Sequence, residues 1–177
     1  MTLLDRIRKI HGKLILFIIE RSMDDEIVVY HALRQGNTLV GPKVDCFWLN
    51  KADLKKPEEM SAKAKELFFG ADVKIIGGKY KMVVASCPQK VITLHLRKSG
   101  AVVAKTLLKN KESIVDHLSV VIEQPSTLSI PQATSMTIHG THNKDPVSQR
   151  IPITEEMRSK FDISSFLPGV SQLWTNE

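Results

Sequence analysis

Apolar residues along this chain come in short runs, separated roughly every 8–12 residues by polar or glycine-bearing turns, which is the spacing of a β-rich domain. Residues 13–20 (KLILFIIE) are apolar between two charged ends and predict a strand buried on both faces. The polar stretch 21–26 then gives way to residues 27–32 (IVVYHA), so the two runs predict a hairpin. Gly36-Asn37 and Gly41-Pro42 punctuate the chain before a third strand candidate, residues 43–50 (KVDCFWLN).

The middle third carries the clearest pattern. Residues 73–76 and 79–86 flank Gly77-Gly78, a pair that supplies the positive φ of a tight hairpin turn. Cys87-Pro88-Gln89-Lys90 reads as the next turn. Residues 91–97 then alternate, with Ile92, Leu94 and Leu96 on one face and Thr93, His95 and Arg97 on the other. Lys98-Ser99-Gly100 leads into residues 101–108, so four strands are expected in an antiparallel meander. Beyond Asn110, residues 118–123 and 136–139 read as further strands, and residues 140–150 as a polar, turn-rich segment.

Helical spacing appears in three places. Leu3, Leu4, Ile7 and Ile10 make an apolar stripe within residues 1–12, a short amphipathic helix expected to dock on the domain rather than to lie on a membrane surface. Pro57, Glu58 and Glu59 read as a helix start, with Met60, Ala64, Leu67 and Phe68 as its stripe and Gly70 as its stop. Thr154 followed by Glu155 and Glu156 reads as a capped start running to about Phe161. The sum is a mainly β fold, a β-sandwich or partly open antiparallel barrel of seven to nine strands with one or two short helices. No repeat, low-complexity tract or long linker divides the chain, so residues 1–177 are read as a single domain with an apolar tail over 162–177.

Composition narrows the function only a little. With 177 residues, 42% hydrophobic and 25% charged, the chain can bury a core. The net charge of +6 favours acidic partners, although the lysines and arginines form no block along the sequence. Nucleic acid is therefore suggested by charge alone, since aromatics at 6% leave little for base stacking. No apolar run approaches the roughly 20 residues of a membrane-spanning helix. Two cysteines, Cys46 and Cys87, fit free thiols in a reducing compartment, so a cytoplasmic address is expected, with an organelle left open.

Among residues typed for chemistry, His139 and His142, with Asp145 beyond, come first, because two imidazoles and a carboxylate suit zinc or a redox-active metal. Their spacing matches no metal signature, and the plainer reading is one histidine closing a strand and one in solvent. Asp24, Asp25 and Glu26 are consecutive and lack the alternating ligand series of a calcium loop. Cys46 sits among Val44, Phe47, Trp48 and Leu49, which indicates burial. Cys87 begins a turn and so is the more accessible candidate, but nothing places His31 or His95 beside it as a base. Gly77-Gly78 joins two strands and so is no phosphate loop.

A family resemblance adds to this. Glu20-Arg21-Ser22 before Ile27-Val28-Val29-Tyr30, then Phe47-Trp48, a helix ending in Phe69-Gly70, Gly78-Lys79-Tyr80 and Ile138-His139-Gly140-Thr141 resemble an uncharacterised β-rich family of unknown function found in bacteria and protists. The resemblance covers residues 13–153. Phe69 stands where that pattern leads one to expect tyrosine. It implies one coherent β-rich domain and no activity.

The expectation that follows is a non-enzymatic interaction module, a subunit of a larger protein assembly, needing no cofactor and offering a basic surface to an acidic partner. Phe166, Leu167 and Trp174 in the apolar tail are its candidate protein-contact residues. Two alternatives stand beside it: a carrier of a small apolar ligand in a barrel cavity, and a metal-dependent or other enzyme using His139, His142 and Asp145.

Overall fold

The computed structural model describes residues 1–155 except 23, 36, 37, 85, 125 and 129–131. Eleven strands belong to one open mixed sheet. They are β1 (Ile15–Arg21), β2 (Glu26–Gln35), β3 (Thr38–Asn50), β4 (Asp53–Glu59), β5 (Ala71–Ile76), β6 (Lys79–Val84), β7 (Cys87–Leu96), β8 (Val102–Leu108), β9 (Lys111–Glu123), β10 (Gln132–His142) and β11 (Asp145–Ile151). Two short helical segments accompany them, α1 (Leu3–His11) and α2 (Ala62–Ala64), the latter continued by a π turn over Lys65–Phe69. None of the helices in the described residues is long and apolar enough to cross a membrane.

The fold turns on β9. Its first residues pair with β8, from Leu108↔Lys111 to Lys105↔Ile114. Its later residues pair with β1 on that same edge, from Ile18↔His117 to Arg21↔Val120, and this pairing is parallel. The other edge carries β10, which carries β11 in turn. Because β8 and β1 take successive stretches of one edge, the sheet forks there into a wing of β1–β4 and a wing of β5–β8. The inner faces share one core, in which Tyr30 and Trp48 of the first wing meet Val73, Met82 and Leu94 of the second. Phe69, on the π turn, completes it. The Tyr30 hydroxyl donates to the Phe69 carbonyl at 2.8 Å, and the Trp48 and Phe69 rings meet edge to face at 5.3 Å.

The apolar run of β1 is explained by what lies on each side of it. Leu16, Phe17 and Ile19 face the main core, while Ile15 and Ile18 face a second cluster beneath α1 with Leu4 and Ile7. The helix forms because Thr2 caps it reciprocally with Asp5: the Asp5 N–H donates to Thr2 Oγ1, and the Thr2 N–H to Asp5 Oδ2, each at 3.1 Å. Docking of this helix is as the stripe predicts, through Leu4 and Ile7.

The meander β5–β8 and the β1–β2–β3 hairpins follow the sequence pattern. Several expectations are corrected. Residues 57–59 are not a helix start but the end of β4, where Glu58 pairs with Trp48 and Glu59 with Phe47. Edge pairing here outweighs the capping signal, and a proline is tolerated on an edge strand. Helix begins only after Ser61, whose Oγ accepts the Ala64 N–H. Cys87 opens β7 rather than a turn, and residues 140–151 are largely strand: Asn143 and Lys144, at φ of 49° and 70°, form the tight turn between β10 and β11. The sheet is open and mixed rather than purely antiparallel, and the strands among the described residues number eleven. The helix expected from Thr154 lies, past Glu155, outside the described residues.

Gly140 shows why a polar stretch can be strand. A Cβ there would stand well inside van der Waals reach of the Ile114 carbonyl oxygen, at the bulge where β10 shifts register against β9. Only glycine lets the two backbones approach so closely.

Candidate functional site

Positive charge, scattered in sequence, is collected by strand register. Lys74 of β5 lies directly opposite Lys81 of β6, Lys81 opposite Thr93 of β7, and Thr93 opposite Lys105 of β8. Directly opposed residues share a face, so this row runs straight across the second wing. Its inner counterparts Val73, Met82, Ile92 and Ala104 are buried, which sets the row on the outer face. Lys79, two residues from Lys81, and His95, two from Thr93, extend the same face. The Lys81 ammonium donates to Thr93 Oγ1 at 2.8 Å, and Lys105 pairs with Glu112 at 3.4 Å. Burial lowers the His95 pKa, and Lys105, Lys79 and Lys81 lower it further, against an opposing pull from Glu112.

Beside these lysines lie exposed aliphatic side chains. Val91 and Leu107 sit two residues along from Thr93 and Lys105 and are 54% and 56% exposed. The outer face thus combines a lysine row with an aliphatic pair. Sequence reasoning found the lysines but not the row. The signal was present in the alternation of β6–β8, once each strand is registered against its neighbour.

The metal candidates do not converge. His139 Nε2 and Nδ1 are each hydrogen bonded to a hydroxyl, Ser119 Oγ at 2.9 Å and Ser148 Oγ at 2.8 Å. Its ring stacks on His117 at 4.2 Å. His142 donates from Nδ1 to the Glu112 carbonyl at 2.7 Å, and its Nε2 accepts from Asn143. Asp145 faces His142 across the β10–β11 turn. Both nitrogens of both histidines are thus hydrogen bonded within the protein. Among the described residues no group of three or more His, Cys, Asp or Glu side chains is placed to hold one.

Nor do the cysteines have thiolate character. Both are free and buried, and burial pushes Cys46 up to about 12 and Cys87 to about 11. The consecutive acids are partly structural: Asp24 binds the Arg21 guanidinium at 2.5 Å and accepts the Glu26 N–H at 2.8 Å. Ser22 is structural too. Its Oγ accepts the Ile122 N–H at 2.9 Å and donates to the Ile122 carbonyl, tying the end of β1 to β9. The tail residues Phe166, Leu167 and Trp174 lie outside the described residues.

Three histidines share one electrostatic condition. Burial is the largest cause lowering the pKa of His31, His95 and His139, and for His139 the stacked His117 adds to it while Glu20 and Asp116 oppose. A histidine held below its ordinary value of about 6.5 binds protons more readily in the unfolded chain. Stability is therefore expected to be full above about pH 6.5 and to decline as pH falls below it, until the folded-state values are passed. Urea midpoints measured at pH 7.5 and 5.5, at fixed ionic strength, check this. A midpoint that is equal or higher at pH 5.5 contradicts it.

Compared with known proteins, residues 17–150 match the model of a family described as a domain of unknown function, DUF4833. That span begins within β1 and ends within β11. No curated protein and no solved structure matches the chain.

Proposed function

The chain belongs to the DUF4833 family, and since that family is described as of unknown function we propose a role from the surface itself: a non-enzymatic binding module, subunit of a larger assembly, whose β5–β8 outer face receives an acidic protein partner. The observation that carries this reading is the row Lys74–Lys81–Thr93–Lys105, extended by Lys79 and His95. Opposite charge on a partner would steer encounter and fix register. Val91 and Leu107 would supply the apolar centre that such an interface buries. The positions named on this face include no Phe, Tyr or Trp, and the single imidazole of His95 gives single-stranded nucleic acid little to stack on among them. Phe166, Leu167 and Trp174 are proposed as a second contact element.

The two alternatives have less support. A carrier needs open apolar space between the wings, and Trp48, Tyr30, Phe17 and Phe69 occupy that interior. A metal-dependent enzyme built on His139 and His142 needs an imidazole lone pair open to the ion, and all four ring nitrogens are hydrogen bonded.

The test compares full-length tagged protein with the variant K74E/K79E, whose two sites are exposed, in capture from its native cells after nuclease treatment. Wild type is expected to retain a reproducible protein set that the charge-reversed variant loses. Capture of the same set by both, or a wild-type set that disappears with nuclease, overturns the reading.

A further inference from the structure

Helix α1 covers only part of the outer face of the β1–β4 wing. Leu4 and Ile7 pack there with Ile15, Ile18, Val29, Leu49 and Leu54. The helix then stops at Gly12, which adopts φ of 102° and donates its N–H to the Arg8 carbonyl. Past this stop the sheet face is uncovered, leaving a cleft of about 1080 Å³. Small-molecule sites run to about 300–1,000 Å³, so the space is sufficient for a ligand.

Strand register determines what the cleft presents. His31 of β2 is directly opposite Asp45 of β3, and Phe47 is directly opposite Glu59 of β4. Asp45 and Phe47 are two apart on one strand, so all four share the outer face. His11, at the end of α1, sets its ring 5.6 Å from that of Phe47, and His31 sets its own at 5.5 Å. Phe47 is thus the middle of three rings along one wall.

The charges lining the cleft are unequally engaged. Lys65 is committed to Asp45 at 2.6 Å, and Lys13 to the Ser99 carbonyl at 2.6 Å. The Leu54 carbonyl can only accept, so His11 donates to it from Nε2 at 2.6 Å and keeps a lone pair on Nδ1 when neutral. Burial disfavours the charged form of His31. Glu58 and Glu59 also line the cleft and make no ion pair among the described residues. The C-terminal end of α1 adds its partial negative charge. In a chain of net charge +6, this recess sets unpaired negative charge beside an aromatic wall.

We propose that the cleft is a binding site for a small organic cation, an amine carried on a flat aromatic body. The ring lies against Phe47 between His11 and His31, and the ammonium reaches Glu59. The Phe47 face favours a flat aromatic body, the Glu59 carboxylate favours an ammonium, and the cavity accommodates both. The site is on the wing opposite the lysine face and stands independently of it.

Three indoles of similar shape and different charge test the proposal: tryptamine (cationic), 3-methylindole (neutral) and indole-3-propionate (anionic). Each is titrated at pH 7.5 into the full-length protein while the imidazole proton resonances of His11 and His31 are followed by NMR. Tryptamine is expected to shift both resonances saturably, 3-methylindole to bind more weakly, and indole-3-propionate to leave them unmoved. Glu59→Gln, at an exposed position, should weaken tryptamine about two- to fivefold. Phe47→Leu, which removes the ring-on-ring contact, should weaken it about two- to tenfold. If tryptamine moves neither resonance, if the propionate binds as tightly, or if Glu59→Gln leaves tryptamine affinity unchanged, the proposal is overturned.

Discussion

Trp48→Ala is expected to lower the free energy of unfolding by about 3–5 kcal/mol, the usual cost of truncating a buried aromatic side chain to alanine. The ring is 1% exposed and ranks among the largest fully buried side chains described. It meets Phe69 edge to face, and the Arg21 guanidinium sits 5.3 Å from its centroid. Its backbone pairs with Val28 on one side and Glu58 on the other, so three strands converge on this residue. A single domain holds only about 5–15 kcal/mol of net stability, so the variant should give up a large share of it. Urea denaturation followed by far-ultraviolet circular dichroism reads the effect. A loss below about 1 kcal/mol would mean that the neighbours collapse into the space and that Trp48 is no keystone.

Arg21→Ala should cost about as much, 3–5 kcal/mol or so, for a different reason. The guanidinium is almost wholly enclosed, which lowers its pKa by desolvation, and its hydrogen bond and charge pairing with Asp24 offset that penalty, with help from Glu26. Removing it leaves the partly buried Asp24 carboxylate uncompensated and strips a cation from the Trp48 face. Arg21→Leu combined with Asp24→Asn should recover part of the loss, because both charges then leave together. Since Arg21 and Trp48 touch, the double variant R21A/W48A should lose less than the sum of the two single losses. Strict additivity in that cycle would show that the two side chains act separately. The Arg21 that carries part of the family resemblance is, on this account, structural: it seals the β1–β2 hairpin over the core.

The meander was legible because its signals are local. Alternation in β6 to β8 spans a few residues each, and Gly77 and Gly78, at φ of 59° and 77°, supply the turn that their identity predicts. Burial of Cys46 followed in the same way from its apolar neighbours. The segment 57–59 was misread for a matching reason. Pro57, Glu58 and Glu59 carry a helix-start signal, and only the pairing with Phe47 and Trp48, about ten residues earlier in the chain, makes them strand. Residues 140–151 looked like loop because polar composition hides a strand whose close approach depends on Gly140.

By itself, then, the sequence determined the β-rich class, the hairpins, the docked N-terminal helix and the burial of Cys46, since each rests on side-chain identity within a helix turn or a strand. The tertiary structure alone decided the parallel pairing of β1 with β9, residues about a hundred positions apart, and with it the fork that makes two wings. It also decided which charged residues act together. Lys74, Lys81 and Lys105 share one face, and His31, Asp45, Phe47 and Glu59 share another, only because register brings separate strands side by side. Register is set by the whole hydrophobic pattern closing on one core, and no single stretch of the chain contains that information.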